Sequence, residues 1–388
     1  EVTGEIVDRV KYSNEGDWGI LARGEQLVTN LTRNGNLVTI TVPYHGYTIA
    51  DRAEDKVYRI AGADQAEFNG EWTVTAVTRD TMTFTIPGSS TVATGTITVR
   101  KKDAGHYGWE WYTPADGGGM SLELINPAMS NNNGQNWGAG TIVGGTPGAT
   151  NSIRAADIAP LISNVTHFPV IPRSTDPVYV TAKIVDELAY GIQAWVYYRV
   201  DGAASFTAIV MADDGLHGDG VAHDGVYGAQ LPFQTNNTVI EFYVFARDKN
   251  GGTGSLSRTW PAPAGFGNGQ TVNLLYQVDD SYDPTVPWTP GSQPVYRLIM
   301  KEADRAELAH IGSHDPDLWS DAAFNGTLIT VDGSGVELVY QVGFRNRGHG
   351  TRLGVSGANN YKIEIPHDCP WKGVTETLIN YQNTPSQV

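Results

Sequence analysis

The chain has 388 residues, a net charge of −16 and 45 glycines. This charge excludes nucleic acid as a partner of most of the chain, because neutralising phosphates requires clustered Lys and Arg. The single cysteine, Cys369, excludes an intrachain disulfide, and no apolar run reaches the roughly 18 residues of a membrane span. The abundance of Gly, Thr, Asn and Val predicts a mainly β protein with many tight turns.

The same composition suits a secreted or cell-surface protein. The sequence starts at Glu1 without a basic segment followed by an apolar one. We therefore expect a signal peptide to have been removed or to lie outside this sequence. Disulfides are common in exported proteins but not obligatory in large ones, so the single cysteine does not oppose this location.

Residues 23–103 have a strand pattern of their own. The segments NLVTITV, WTVTAVT, MTFTIP and TGTITVR alternate apolar residues with threonine, as half-buried strands do. Asn-Gly in FNGEW predicts a hairpin. We predict a compact β-module of about five strands here.

The next segment carries three landmarks in order: SLELINP, the pair Asn136 and Trp137, and GGTPGATNS. On these landmarks it resembles the C-terminal half of a bacterial lamin tail domain, and GEIVDRVKYSNEGDW resembles an earlier strand pair of that domain. The resemblance implies a lamin-tail-like β-sandwich formed by residues 1–22 and 104–152, with the β-module inserted. The alternative is tandem order, with the lamin-tail unit beginning near Gly105.

Residues 157–263 contain strand-like runs such as VYVTAKIVD, AWVYYRV and VIEFYVFARD, separated by turn signals. This pattern is typical of a β-sandwich of immunoglobulin or fibronectin type. The Pro- and Gly-rich residues 264–293 that follow are predicted to be a linker.

The last unit, residues 294–388, differs in charge. From Gln341 onwards, five Lys or Arg stand against three Asp or Glu. The segment EADRAELAHI has helical spacing. The unit contains, in order, the segments PVYRLIMKEADRAEL, LVYQVGFRNRGHGTR, NNYKIEIP and PWKGVTETLIN. On these segments it resembles the start of a domain of the CotH kinase family, the spore-coat protein H-like atypical kinases. The expected fold class is therefore mainly β, with tandem immunoglobulin-like β-sandwich domains plus a truncated C-terminal α+β kinase-like lobe.

The loop RNRGHGTR could bind phosphate, because glycines let backbone N–H groups approach an anion and arginines add bidentate donors. The alternative is a hairpin turn with solvated arginines. The resemblance implies ATP and Mg²⁺ as cofactors of the full-length protein. The candidate ATP phosphate contacts are Arg345, Arg347, Arg352 and Lys362.

The acids that such a kinase needs are missing from this stretch. After Gln341 the carboxylates are Glu364, Asp368 and Glu376, and none has a kinase-like metal-ligand arrangement. By resemblance, the metal-binding and catalytic acids lie beyond Val388. We expect this fragment to be inactive and assign no catalytic residue.

A second candidate site is the Gly-rich stretch MADDGLHGDGVAHDGVYGA. Calcium prefers several carboxylate and carbonyl oxygens on a flexible loop, but Asp-Gly is also a common turn dipeptide that needs no metal. Both interpretations stay open. His217 and His223 could also be ligands of a transition metal, but because no cysteine lies nearby this is a weaker prediction than calcium. The candidate calcium ligands are Asp213, Asp214, Asp219 and Asp224.

Tryptophans form the third feature. Trp109 and Trp111 alternate with Glu110 and therefore face one side of a strand. If they are exposed, they could stack on carbohydrate; if they are buried, they belong to the core. A sandwich fold favours the core interpretation. We expect Trp18 and Trp137 to be core as well.

The expected function follows from these parts. It is that of a secreted or surface multidomain bacterial protein in which β-sandwich display or binding modules are attached to a CotH-type kinase domain that transfers phosphoryl groups from ATP to a protein hydroxyl. Its protein substrate or surface partner is not identified by the sequence. The alternatives are a non-catalytic adhesive or structural surface protein and a carbohydrate-binding accessory module.

Overall fold

The computed structural model describes residues 10–22, 26–43, 45, 47, 56–78, 80–113, 115, 119–188, 191–248, 255–263, 270–314, 317–348 and 350–380. These residues are mainly β, as the composition predicts. No helix among them is long and apolar enough to cross a membrane.

A short strand, β1 (Ile20–Ala22), precedes the β-module, which forms a small barrel. In the described residues its antiparallel sheet has the order β2-β8-β5-β6-β7-β4-β3. The edge strands β2 and β3 are consecutive in sequence and are connected by Val28 and Thr29 alone. Val28 N donates to Ile97 O (2.9 Å), beside β8, and Thr29 N donates to Thr41 O (2.8 Å), in β4. The sheet therefore closes on itself. Its strands are β2 (Gln26–Leu27), β3 (Asn30–Asn34), β4 (Leu37–Thr41), β5 (Val57–Ala61), β6 (Gly70–Val77), β7 (Thr81–Thr85) and β8 (Thr98–Lys101).

The sequence pattern explains this barrel. Apolar residues of the alternating runs, such as Ile40 and Phe84, are fully buried, while the intervening threonines point away from the core. The barrel has more strands than the expected five, because the short β2 and β3 carry little apolar pattern. The Asn-Gly segment does join two antiparallel strands, β5 and β6, but through a longer connection that includes a 3₁₀ turn (Ala66–Phe68).

The strands on either side of the barrel pair with each other. Strand β1 is antiparallel to β9 (Glu110–Tyr112), with Ile20 opposite Tyr112. Farther along, β10 (Met120–Leu124) pairs with β11 (Trp137–Val143). Residues 26–101 thus lie between two paired strands, which is the order that an insertion requires. The assignment of the host unit to the lamin tail family stays a prediction.

The third unit is a two-sheet sandwich. One sheet has the order β12-β13-β16; in the other, β15, β14 and β17 lie side by side, and β18 and β19 both pair with β17. Alternate residues of β13 are buried, for example Val180 and Ala182. The strands are β12 (Leu161–Phe168), β13 (Val178–Val185), β14 (Gln193–Val200), β15 (Thr207–Met211), β16 (Val226–Leu231), β17 (Val239–Arg247), β18 (Ser257–Trp260) and β19 (Leu274–Gln277).

Strand β19 corrects the prediction that residues 264–293 are a linker throughout. Its residues Leu274, Leu275 and Tyr276 are fully buried. The surrounding Pro and Gly residues dominate the composition of the stretch, but this short apolar run completes the sandwich.

The C-terminal unit is an antiparallel sheet with one helix. Its described strands follow in sheet order: β20 (Val295–Met300), β21 (Phe324–Asp332), β22 (Gly335–Asn346), β23 (Tyr361–Glu364) and β24 (Glu376–Ile379). The predicted helix is observed as α1 (Glu302–His310). Asp201 of the sandwich accepts the backbone N–H of Glu302 (2.6 Å), so a neighbouring unit caps the helix.

A histidine joins the sandwich to the C-terminal sheet. His167 is 1% exposed, and its Nε2 lies 3.0 Å from the carbonyl oxygen of Val170. Because a carbonyl only accepts, Nε2 carries the proton, and Nδ1 accepts the hydroxyl of Tyr340. The ring also stacks on Tyr276, with 4.9 Å between centroids. Burial lowers the pKa of His167 from 6.5 to about 4.

This buried histidine predicts a specific pH dependence. Above pH 6.5 it is neutral in both the folded and unfolded states, whereas between pH 6.5 and about 4 the unfolded state binds the additional proton. Acidification over this window therefore costs about 3 kcal/mol of stability. Urea unfolding from pH 7.5 to 4 should show that this loss is missing in His167→Gln.

The exposed His223 provides the control. His223→Gln should keep the wild-type pH dependence, because this side chain meets water in both states. An identical loss in wild type and His167→Gln would show that His167 is not held neutral by the fold.

Candidate functional site

The strand register brings two of the predicted phosphate contacts together. Arg345 on β22 lies directly opposite Lys362 on β23. Phe344 and Ile363, the neighbours of these residues in sequence, are fully buried. Because side chains alternate along a strand, Arg345 and Lys362 share the face opposite this core.

Carboxylates hold both cations. Lys362 Nζ lies 2.7 Å from Glu376 and 3.2 Å from Glu364. Arg345 lies 3.1 Å from Glu364 and 2.8 Å from Asp321. We call these five side chains the ion-pair network. Desolvation opposes it, but the hydrogen bonds to Glu376 and Glu364 raise the pKa of Lys362 above its usual value, so the ammonium group stays charged at neutral pH.

The network borders a cleft of about 290 Å³. Lys362, Glu364 and Glu376 line its C-terminal side, and Glu15 and Trp111 line the opposite side. The cleft therefore lies between the last sheet and the N-terminal strands, and its shape depends on how these two units pack.

Two hydrogen bonds, each donated by a backbone N–H group, fix this packing. Trp109 N donates to Ala323 O (2.7 Å), and His367 N donates to Glu15 Oε2 (3.0 Å). The fit beside Trp109 is close, since a Cβ on Gly108 would lie 2.6 Å from the backbone nitrogen of Ala323. A larger residue there would separate the two units.

Arg347 lies at the rim rather than inside the network. It follows β22 and is exposed, and its Nη1 donates to Asn380 Oδ1, just after β24. Its backbone N–H donates to Asn360 O (2.7 Å). An exposed guanidinium can exchange such an amide partner for an anion at low cost. His349 of the same loop lies outside the described residues.

Arg352 has a structural position that the sequence did not predict. It is 6% exposed, and it donates to the carbonyl groups of Leu318 (3.0 Å), Ser320 and Asn346 (2.9 Å) and to Asp321 Oδ1 (2.8 Å). These bonds tie two loops together. Its donors therefore serve the fold, and the expected contact from Arg352 to phosphate has no support in this geometry.

Sequence reasoning missed the acidic members of the network. The alternation in YKIE already places Lys362 and Glu364 on one strand face, so this pair could have been found. Asp321 could not, because its distance from Arg345 in sequence gives no signal of contact. As arranged, the network offers an anion two fixed cations, but the anion must compete with three carboxylates.

The structure distributes the four predicted calcium ligands over two turns. Asp219 accepts backbone N–H groups from Asp214, Gly215 and His217, each at 2.8 Å. Desolvation raises the pKa of Asp219, but these donors outweigh it, and the pKa is lowered overall. Asp213 accepts the backbone N–H groups of Asp224 (3.2 Å) and Gly225 (2.9 Å) in a separate turn.

Asp214, His217 and Asp219 alone among the described His, Cys, Asp and Glu residues come close enough together to hold one metal ion. Asp213 and Asp224 do not join this group. The aspartates of the loop thus accept backbone N–H groups, as they do in turns that bind no metal. Calcium binding stays a prediction.

The tryptophans divide into two groups. Trp109 is 8% exposed and packs with Leu21 and Val272, as expected of core. Trp18, Trp111 and Trp137 are half-buried and line open clefts, although Trp111 also packs against this cluster. The expectation that these three are core therefore holds only in part. Their sequence neighbours gave no signal of this, because the clefts form between units.

Replacing Asp219 by Ala should destabilise the protein without any metal. Three backbone donors lose their acceptor, at a cost of about 2 kcal/mol, measurable by urea unfolding in EDTA. Asp214→Ala, at an exposed position, should have a smaller effect. Unchanged stability of Asp219→Ala in EDTA would contradict the structural role. A calcium-dependent gain in wild-type stability that Asp219→Ala lacks would show that the loop also binds calcium.

The comparisons with known proteins do not assign a family. No protein-family model matches the chain, and no curated protein matches it significantly. The argument for function therefore depends on the residues and their geometry.

Proposed function

We propose that this chain belongs to a secreted or cell-surface multidomain bacterial protein. Its lamin-tail-like and immunoglobulin-like modules display or bind, and its C-terminal sheet is the first part of a CotH-type atypical kinase domain. In the full-length protein this domain would transfer the γ-phosphoryl group of ATP to a protein hydroxyl. The observation that carries the proposal is the placement of Arg345 opposite Lys362, which lines an open cleft.

Phosphoryl transfer depends on positioning and on neutralising charge around the phosphates. Lys362 supports this role because its hydrogen bonds keep it charged and fixed, and Arg345 adds a second cation on the neighbouring strand. Arg347 adds a donor at the rim of the same sheet. A triphosphate would displace Glu364 and Glu376 from these cations.

The described carboxylates of this region have other partners. Glu364 and Glu376 pair with Lys362, and Asp368 accepts the backbone N–H of Asp17 (2.9 Å). Apart from Asp214, His217 and Asp219, the described His, Cys, Asp and Glu residues form no group that could hold a metal ion. We infer that the described residues do not form a complete kinase site on their own.

The alternative is a non-catalytic adhesive or structural surface protein. One observation favours this alternative. Arg345 and Lys362 already have carboxylate partners, as they would in a purely structural role. Nucleotide binding separates the two functions.

The test is calorimetric titration of Mg²⁺-ATP into a longer form of the protein that continues past residue 388. We expect binding, and we expect Arg347→Ala combined with Lys362→Ala to weaken it by about tenfold or more, because two charged donors are lost. Lys372→Ala is the matched control, since Lys372 pairs with Asp332 elsewhere on the same unit, and it should leave affinity unchanged.

Two results would contradict this proposal in different ways. Unchanged affinity in the double variant would refute the residue assignment. Absence of nucleotide binding by the longer protein would refute the kinase assignment and favour the adhesive alternative.

A further inference from the structure

A tryptophan-lined groove runs between the N-terminal strands and the sandwich. Two clefts, of about 560 and 730 Å³, share Trp18, Thr113 and Trp137 in their walls. They therefore lie next to each other, with Trp18 and Trp137 in the walls of both. Trp111 and Trp260 line the cleft of about 560 Å³. We call the surface formed by both clefts the tryptophan groove.

The groove walls are held rigidly. The rings of Trp18 and Trp137 lie 5.9 Å apart at 38°, and Trp137 Nε1 donates to Asn131 O (2.8 Å). The turns that carry the two rings approach closely, because a Cβ on Gly134 would lie 2.6 Å from the carbonyl group of Asp17. Fixed, half-buried rings of this kind lose little entropy when a ligand stacks on them.

Polar groups lie among the rings. Asp17 Oδ1 accepts Trp260 Nε1 (2.6 Å), and Arg258 Nη1 donates to Gln135 O (2.8 Å). In the part of the chain that the structure describes, Nη1 is the only guanidinium nitrogen of Arg258 with a hydrogen-bond acceptor. The groove therefore offers a carboxylate acceptor and free guanidinium donors beside apolar ring faces.

We propose that the tryptophan groove binds a neutral oligosaccharide. A pyranose ring has an apolar C–H face that packs on an aromatic ring, and hydroxyl groups at its edge that both donate and accept. The charges of Asp17 and Arg258 offset each other within the groove, so the groove favours an uncharged ligand. Two adjacent clefts of this size offer room for a chain of sugars rather than a single one.

A proline-rich peptide is the other ligand that aromatic grooves accept. Its prolines carry carbonyl acceptors and no backbone donors. Its carbonyl groups could accept from Arg258, but it has no donor for the Asp17 carboxylate, which can accept more hydrogen bonds than the one it receives from Trp260 Nε1. Hydroxyl groups satisfy both Asp17 and Arg258, so the sugar is the better match.

The test uses the full 388-residue chain. Pentasaccharides of β-1,4-glucan, xylan, chitin and α-1,4-glucan, together with a polyproline peptide, are titrated by calorimetry and by tryptophan fluorescence. We expect at least one pentasaccharide to bind, and Trp18→Ala to weaken its association about tenfold through the lost ring contact.

A second variant separates a lost site from a lost fold. Thr113→Arg fills the groove without removing an aromatic ring, and it should block binding while thermal unfolding stays unchanged. Thr207→Arg, the same substitution at an exposed position on β15, should leave binding intact. Failure of all four sugars to bind, binding of the peptide in their place, or sugar binding that survives Thr113→Arg would each overturn the proposal.

Discussion

The contact between His167 and Tyr340 joins the three-stranded sheet of the sandwich to the C-terminal sheet. His167 packs in the aromatic core of the sandwich. Its Nε2 donates to Val170 O, which leaves Nδ1 unprotonated and able to accept the hydroxyl of Tyr340 in the C-terminal sheet. Neighbouring contacts extend this junction: Asn325 Nδ2 donates to Asn273 O (3.1 Å), and Ile171, Leu275, Ile299 and Ile329 form a shared apolar cluster. The sandwich and the last sheet therefore have one continuous core.

Both candidate binding surfaces depend on packing against the N-terminal strands, because neither is formed by one unit alone. The ion-pair network belongs to the last sheet, but Glu15 and Trp111 complete its cleft. The tryptophan groove combines turns of the N-terminal strands with β18 of the sandwich, and the bond from Trp260 to Asp17 joins them. Changes in packing between units would alter both surfaces while leaving each sheet intact.

The sequence predicts local structure well and packing between units poorly. Alternation identified the strands of the barrel and sandwich, and helical spacing identified α1. Strand alternation also explains why Lys362 and Glu364 share a face. The burial of Arg352 and the bond from Trp260 to Asp17 were beyond reach, because they depend on contacts between residues far apart in sequence. Strand β19 was missed since its short apolar run lies among Pro and Gly residues.

The most direct test of this account is differential scanning calorimetry of wild type and Tyr340→Ala. One shared core predicts that the sandwich and the C-terminal sheet unfold in a single cooperative transition. Removing the Tyr340 ring and hydroxyl should lower the temperature of that transition and separate the two units. Two independent transitions in the wild type, neither of them altered by Tyr340→Ala, would contradict the account.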